Sequence, residues 1–356
     1  MKIQNIKYSI PLVLAVVVLV VFRFPDLNSS ITACESDFLA IQKIDFDSIL
    51  QSKSPFFSGL ISLGANVFGC NLLFLRILSF VFVTLSIIVV YKFANYFFGL
   101  QCGVISASLL TVQNIFIIQS GLVVPDFMLS FFIIIAFYYY FREKYVATFV
   151  FLVLGLLTSS ITIAVCIFLI LVSFLKHITC KNEDIVKPVF LSFFPILIFI
   201  VLNLVFYQNI ENWDFSSEDY LDKLLKYLYF IFVGQCRSFL LPVVVAAVLT
   251  AFIRKEKYSQ ATQIIFSLLI FVLVLVLFLA FLNYKESFSL PAIAILCIAI
   301  GYCIGFLNTD YVYKYLITSI LIIIFSIETY YTIMQTKQGL QVNETEIINY
   351  QTIQRY

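Results

Sequence analysis

The stretch ILSFVFVTLSIIVV, residues 77–90, decides the fold class because it carries no charged side chain. Four more stretches share this property: Ile10–Phe22, Val189–Phe206, Phe239–Ile253 and Ile264–Leu282. With their apolar flanks, these stretches approach the ~17–25 residues that a helix needs to cross a bilayer. Backbone groups inside lipid must find partners within the chain, which helices provide, and the alternating pattern of barrel strands is absent. The sequence therefore predicts an all-α polytopic membrane protein.

The overall composition leads to the same conclusion. Of the 356 residues, 62% are hydrophobic and 12% are charged, and the mean hydropathy is +1.04. Soluble domains carry roughly 25% charged residues, so this chain has too few to cover a soluble surface. The net charge of +2 gives no basic field for nucleic acid, and no nucleic-acid partner is expected. The eight cysteines show no zinc-site spacing and are interpreted as small buried apolar residues.

About 11 transmembrane helices are predicted by this length criterion, and they make residues 1–334 one transmembrane domain. Their approximate ranges are 9–24, 72–97, 101–119, 125–141, 146–158, 161–176, 188–207, 236–253, 262–283, 288–307 and 314–334. The fifth and sixth spans are short, and one long span over 146–176 is the alternative. Basic loops favour the cytoplasmic side, and the split places the loops 176–188 and 254–257 there together with Lys2 and Lys7. The N-terminus is then cytoplasmic, and the polar tail 335–356 is extracytoplasmic.

Two predicted extracytoplasmic loops are long enough to carry function. The first, residues 25–71, contains two short helix-like stretches within 36–51 and then the apolar segment Pro55–Phe68. About 14 residues are short for a bilayer span, so a helix that lies at the interface or re-enters the membrane is expected there. The second loop, residues 208–233, is acidic at first and then amphipathic over Tyr220–Phe232, which suits an interfacial helix.

Three acids are candidates for catalysis on the predicted extracytoplasmic side. Glu35 and Asp37 could take a proton from an acceptor or hold a divalent cation such as Mg²⁺ or Mn²⁺. They are alternatively ordinary solvated acids. Asp126 follows Pro125 at the mouth of the fourth span, where its charge suits the helix dipole. A carboxylate at a membrane-helix mouth is also a functional candidate.

Four cations are predicted on the same side as these acids. Lys53 closes the first loop, Arg76 and Arg237 lie near the outside ends of spans, and Lys285 lies in another outside connection. Together they could bind an anionic headgroup or a pyrophosphate-like group. Each is alternatively an anchor whose charged tip reaches the interface.

The order of these elements resembles the membrane glycosyltransferases of the GT-C superfamily, in the branch of protein O-mannosyltransferases and lipid A aminoarabinose transferases. The elements that carry the resemblance are, in chain order, Glu35–Asp37, Lys53–Phe57, Val67–Gly69, Leu75–Ser79, Tyr96–Gly99, Pro125–Asp126, Gly155–Thr158 and the looser Tyr284–Pro291. The resemblance covers roughly residues 9–160, with a weaker match at 284–305. It departs from the family at Ser159–Ser160, where a Lys or a polar-Gly pair is usual, and at Ser54, where the family has proline.

The resemblance implies a GT-C-like fold and an enzyme that moves a sugar from a polyprenyl-phosphate donor to an acceptor outside the membrane, with inversion. Asp37 or Glu35 would be the general base, and Asp126 would orient the acceptor or the donor sugar. Lys53, Arg76 and Lys285 would hold the lipid phosphate. The partners implied are the bilayer, the lipid-linked sugar and a protein, glycan or lipid acceptor. The composition hints at a bacterium, so a multi-pass protein of the inner membrane and cell envelope is expected.

Two other functions are compatible with the sequence. A transporter or flippase of a lipid-linked saccharide is the main alternative, although transporters place ionisable residues near the bilayer midplane and these span centres are almost free of charge. A non-catalytic subunit of a membrane assembly is the third hypothesis.

Overall fold

The computed structural model describes residues 54–68, 72–120, 123–179, 186–206, 217–231, 260–281, 286–305, 313–327 and 330. These residues form helices, and no strand occurs among them. The helices are α1 (Pro55–Phe68), α2 (Leu72–Phe98), α3 (Leu100–Thr111), α4 (Asn114–Gln119), α5 (Asp126–Phe141), α6 (Tyr145–Leu156), α7 (Thr162–Thr179), α8 (Val186–Phe206), α9 (Ser217–Tyr229), α10 (Gln260–Leu279), α11 (Leu290–Gly305) and α12 (Tyr313–Ile327), with a 3₁₀ turn at Glu286–Ser289.

Most of the predicted spans coincide with these helices to within a few residues. By length and composition alone, Leu73–Phe98 and Ala261–Leu279 are long and apolar enough to cross a membrane, and the other described apolar helices are shorter. The predicted spans 9–24 and 236–253 lie outside the described residues. The predicted interfacial segment Tyr220–Phe232 overlaps α9, where Tyr227 is buried and Leu221 and Tyr229 are exposed; Ile231, just after α9, is also buried.

The helix α3 lies at the centre of the bundle, where every residue from Cys102 to Thr111 is buried. It packs against α2 and α11, and α11 also contacts α5 and α10. The approach of α3 to α11 is close because a Cβ atom added at Gly301 would lie 2.0 Å from Ser106 Oγ. Small residues allow such close packing between membrane helices. The thiols of Cys102, Cys166 and Cys297 are free and buried, as interpreted from the sequence.

The helices α6 and α7 are two separate antiparallel helices, which confirms that residues 146–176 do not form one span. Lys176 Nζ, near the end of α7, lies 3.1 Å from Glu143 Oε1, just before α6 begins. Tyr140 Oη and Ser173 Oγ are 2.7 Å apart at the same end of the bundle. The turn at Leu157–Ile161 reverses the chain at the other end.

One predicted span was wrong as a continuous helix. Residues 101–119 form two helices, α3 and α4, with a break at Val112 and Gln113. Gln113 has φ −63° and ψ 133°, an extended conformation that interrupts the helical hydrogen-bond ladder. The polar pair of Gln113 and Asn114 stands where the apolar run is interrupted, and Gln113 is buried in the bundle.

We call the end of the bundle at which α5 begins with Asp126 the site end. Ser86 Oγ of α2 is 3.4 Å from the Phe127 carbonyl oxygen, and the rings of Tyr96 and Tyr138 are 5.9 Å apart, so α2 and α5 run in parallel. The ring of Tyr302 is 5.1 Å from Phe98, which places the C-terminus of α11 at the opposite end. The opposite end is the one that carries Arg142.

Candidate functional site

Asp126 begins α5 at the site end and is 2% exposed. Pro125 precedes it, and the Pro125 carbonyl oxygen accepts a hydrogen bond from the Leu129 N–H at 3.0 Å, so the first turn of α5 is closed. The carboxylate therefore lies beside the free N–H groups of a helix start, where a negative charge is favoured. Because α5 packs against α2, α6 and α11, this charge lies inside the bundle rather than in a solvated loop.

Arg76 lies in the second turn of α2 and is 1% exposed, among the largest fully buried side chains described. The interpretation of Arg76 as an anchor that reaches the interface is therefore wrong, because its side chain is packed within the protein. A buried guanidinium is costly unless acceptors surround it. Neither Arg76 nor Asp126 is without a partner.

The two charged residues share the site end but differ in depth. The hydroxyl of Ser86 on α2 contacts the Phe127 carbonyl, so Ser86 lies at the same depth in the bundle as the start of α5. Arg76 lies roughly 15 Å farther out along α2 than Ser86, at 1.5 Å per residue. A ligand that contacts both would therefore extend along α2, or the long arginine side chain would reach inward.

The start of α1 joins this region to the turn between α6 and α7. The Phe56 N–H donates a hydrogen bond to the Leu157 carbonyl oxygen at 3.0 Å, and the ring of Phe56 contacts that of Phe132 with centroids 5.7 Å apart. Phe57 and Ile61 are buried in a cluster with Leu75, Val123, Met128 and Phe132. Thus α1, which was expected to lie at the interface or to re-enter, has one face packed against α2 and α5.

The turn after α6 carries hydroxyl groups at the position where the GT-C resemblance predicts a cation. Thr158 is buried and its Oγ1 donates to the Leu154 carbonyl at 2.8 Å. Ser159 and Ser160 are half-buried. Ser159 Oγ accepts from the Ile161 N–H at 3.4 Å. The turn is therefore polar, but Ser159 and Ser160 bring no charge to it.

The remaining predicted site residues lie outside the described part of the chain: Glu35, Asp37, Lys53, Arg237 and Lys285. The positions next to two of them are described. Ser54 directly follows Lys53 and is buried at the start of α1, and the turn Glu286–Ser289 directly follows Lys285 and leads into α11 at the site end. Within the described ranges, no group of three or more His, Cys, Asp or Glu side chains could hold a metal ion.

Two buried hydroxyls beside the charged residues were missed in the sequence. Ser79 Oγ and Ser130 Oγ are buried and have no hydrogen-bond partner in the described segments. Ser79 follows Arg76 by one turn, and Ser130 follows Asp126 by one turn, so each shares a helix face with a charge. The spacing of Ser79 from Arg76 (i+3) and of Ser130 from Asp126 (i+4) could have identified both serines in the sequence. An unsatisfied buried hydroxyl costs about 1–3 kcal/mol, which makes each one a candidate for contact with a bound polar group.

The sequence matches no protein-family model and no curated protein. The fold is similar to that of ArnT from Cupriavidus metallidurans. The crystal structure in the apo state has a TM-score of 0.61 and 14% identity, over 86% of this chain and 61% of the ArnT chain. The crystal structure bound to undecaprenyl phosphate has a TM-score of 0.56 and 15% identity, over 84% and 60%.

The chain therefore spans about three fifths of the length of the ArnT chain. At this low identity the likeness shows the fold alone, and that fold agrees with the all-α, GT-C-like fold expected from the sequence.

Proposed function

We propose that this protein, which shares the fold of ArnT, is a membrane glycosyltransferase that moves a sugar from a polyprenyl-phosphate donor to an acceptor. The observation that carries the proposal is a carboxylate, Asp126, and a guanidinium, Arg76, both buried at one end of this fold. Charges are expensive to bury and are retained in membrane proteins chiefly where they bind or react. An ArnT of the same fold has been crystallised with undecaprenyl phosphate, which supports a polyprenyl lipid as the donor class.

The proposed reaction needs a base and a set of cations. An acceptor hydroxyl oxygen attacks the anomeric carbon of the donor sugar, and the bond from that carbon to the phosphate oxygen breaks with inversion. The proton passes to Asp37 or Glu35 as general base, and the polyprenyl phosphate leaves with the electron pair. Arg76, with Lys53, Lys285 and Arg237, would stabilise the phosphate charge that grows on the leaving group. Asp126 would orient the acceptor or the donor sugar.

The pair Glu35 and Asp37 could instead hold a divalent cation, Mg²⁺ or Mn²⁺, through carboxylate oxygens. The two roles make different demands on assay conditions. A metal-dependent transfer is lost on chelation and regained with added Mg²⁺ or Mn²⁺, whereas a transfer that uses the carboxylates only as bases survives chelation.

The site end would face the extracytoplasmic side, because most basic residues of the described segments lie at the opposite end. Those at the opposite end are Lys92, Arg142, Lys144, Lys176, Lys187 and Lys314, against Arg76, Lys223 and Lys226 at the site end. Under the positive-inside rule this end is cytoplasmic. The enzyme would therefore act at the outer surface of a bacterial inner membrane, on a protein, glycan or lipid acceptor of the cell envelope.

The test is a transfer assay in proteoliposomes that contain the purified full-length protein. The probes are undecaprenyl-phosphate monosaccharides that carry mannose, glucose, galactose or aminoarabinose, and the readout is the release of undecaprenyl phosphate. Asp126→Asn is expected to abolish turnover while the protein elutes as wild type on gel filtration. The matched control is Asp222→Asn, which makes the same charge change on an exposed residue of α9 at the site end.

Full turnover by Asp126→Asn would remove Asp126 from the site. Movement of an intact lipid-linked sugar across the bilayer, without release of undecaprenyl phosphate for any probe, would favour the transporter instead.

A further inference from the structure

The opposite end of the bundle carries a cationic patch that the proposed reaction does not use. The patch comprises Lys92 and Tyr96 of α2 and Tyr138, Arg142 and Lys144 at the end of α5. Lys92 and Lys144 are exposed, and Tyr96 is 56% exposed. Lys92 and Tyr96 are one turn apart on one helix face. We propose that this patch, with the Arg142 guanidinium at its centre, binds the headgroup of an anionic phospholipid.

Arg142 is held in a fixed orientation by two tyrosines. Its Cζ lies 4.5 Å from the ring centre of Tyr96 and 5.1 Å from that of Tyr138, and one terminal nitrogen donates to Tyr138 Oη at 2.8 Å. A guanidinium has five N–H donors, so its interactions with Tyr138 and Tyr96 leave others for a phosphate oxygen. Because the stack restrains the side chain before binding, little conformational entropy is lost when a headgroup binds.

The nearest acid does not neutralise this patch. Glu143 has a φ of 60°, the left-handed region that non-glycine residues seldom adopt, in a turn closed by hydrogen bonds to the Tyr139 and Tyr140 carbonyls. In that turn Arg142 stacks on α2, while Glu143 reaches α7 and pairs with Lys176 at 3.1 Å. The turn thus separates the two charges, and Glu143 is engaged elsewhere.

The residue types and their position fit a lipid headgroup. Exposed tyrosines favour the membrane–water interface, and each Lys or Arg near an anionic surface contributes about 1 kcal/mol of attraction in general. In the described segments at this end, Glu143 is the one Asp or Glu, against six Lys or Arg residues: Lys92, Arg142, Lys144, Lys176, Lys187 and Lys314. The charge therefore complements phosphatidylglycerol or cardiolipin, and this site lies at the end of the bundle away from Asp126 and Arg76.

The experiment measures the apparent Kd of phosphatidylglycerol for the purified full-length protein by native mass spectrometry, with phosphatidylcholine of the same acyl chains as reference. The variant Lys92→Gln/Lys144→Gln changes two exposed side chains, so folding is preserved. It is expected to bind phosphatidylglycerol about 30-fold more weakly, since two charges are lost. Phosphatidylcholine binding should not change.

Two controls decide whether binding is specific to the patch. Lys223→Gln/Lys226→Gln on α9, at the site end, removes the same charge away from the patch and should bind phosphatidylglycerol as wild type does. An excess of inorganic phosphate should not displace the lipid. Equal weakening in both double variants, or displacement by phosphate, would each overturn the proposal.

Discussion

The backbone N–H of Phe56 donates to the carbonyl oxygen of Leu157 across 3.0 Å, which joins the start of α1 to the turn between α6 and α7. These two residues belong to separate elements of the resemblance, the one that begins at Lys53 and the one at Gly155–Thr158. Their order along the chain was the basis for proposing a common site. The hydrogen bond shows that the two elements are neighbours in the folded protein.

The variant Phe56→Pro tests what this hydrogen bond contributes. Proline removes the N–H donor, and Phe56→Ala removes the same ring contacts while it keeps the donor. We expect Phe56→Pro to be about 1 kcal/mol less stable than Phe56→Ala, measured as thermal unfolding in detergent. We also expect faster proteolysis of α1 in the proline variant. Equal stability and equal proteolysis of the two variants would contradict a role for this bond.

We expect any replacement of Arg76 that changes the geometry of its N–H donors to lower activity. Arg76→Lys keeps the positive charge but loses the planar fork that binds phosphate through two bonds. A charge-assisted hydrogen bond contributes about 1.5–3 kcal/mol, so kcat/KM for the lipid donor should fall about 10- to 100-fold. Steady-state kinetics in proteoliposomes measure this fall, and Lys226→Arg on the exposed surface of α9 is the control. Unchanged kinetics in Arg76→Lys would assign the residue to packing alone.

The acids of the first loop give the sharpest test of the chemistry. Asp37→Asn or Glu35→Gln is expected to abolish transfer, because the amide cannot accept the proton of the acceptor hydroxyl. Each variant should still insert and accumulate to the wild-type level, measured by immunoblot of membranes. Full activity of both variants would show that the general base lies elsewhere.

Two glycines provide a matched test of the packing. A Cβ atom at Gly301 would lie 2.0 Å from Ser106 Oγ and 2.9 Å from the Ser106 backbone nitrogen, whereas one at Gly64 would lie 2.0 Å from the ring edge of Phe74. The ring can rotate away, but the backbone of α3 cannot. We expect Gly301→Ala to cost about 1–3 kcal/mol in thermal unfolding and Gly64→Ala to cost much less. The reverse order would refute the close approach of α3 to α11.

The helices were largely predictable, because lipid demands long apolar runs and the runs have visible ends. The prediction 72–97 corresponds to Leu72–Phe98, and 125–141 corresponds to Asp126–Phe141. The break at Val112–Gln113 was missed because the runs Leu109–Leu110 before it and Ile115–Ile118 after it are apolar. An apolar run shows that a segment is buried in lipid or protein, but it does not show where an extended residue interrupts the helix.

The position of Asp126 at a helix start was predictable from the sequence, but the depth of the charged residues was not. Asp126 was assigned to the mouth of a span, and it begins α5 there. The burial of Arg76 was not foreseen, because its neighbours Leu75 and Ile77 allow either a lipid-facing or an inward-facing side chain. The tertiary packing around α2 buries this side chain, and that packing depends on contacts between residues far apart in sequence.

The burial of α3 by α11 constrains the order in which the chain can be assembled during synthesis. The ribosome makes α3 long before α11. Ser106 and its neighbours therefore contact lipid or the insertion machinery until α11 has been synthesised. A chain truncated before Leu290 would lack α11, so one face of the central helix α3 would have no packing partner. Quality-control proteases could then recognise the exposed, weakly apolar α3. The survival of the new protein would therefore depend on the synthesis of α11.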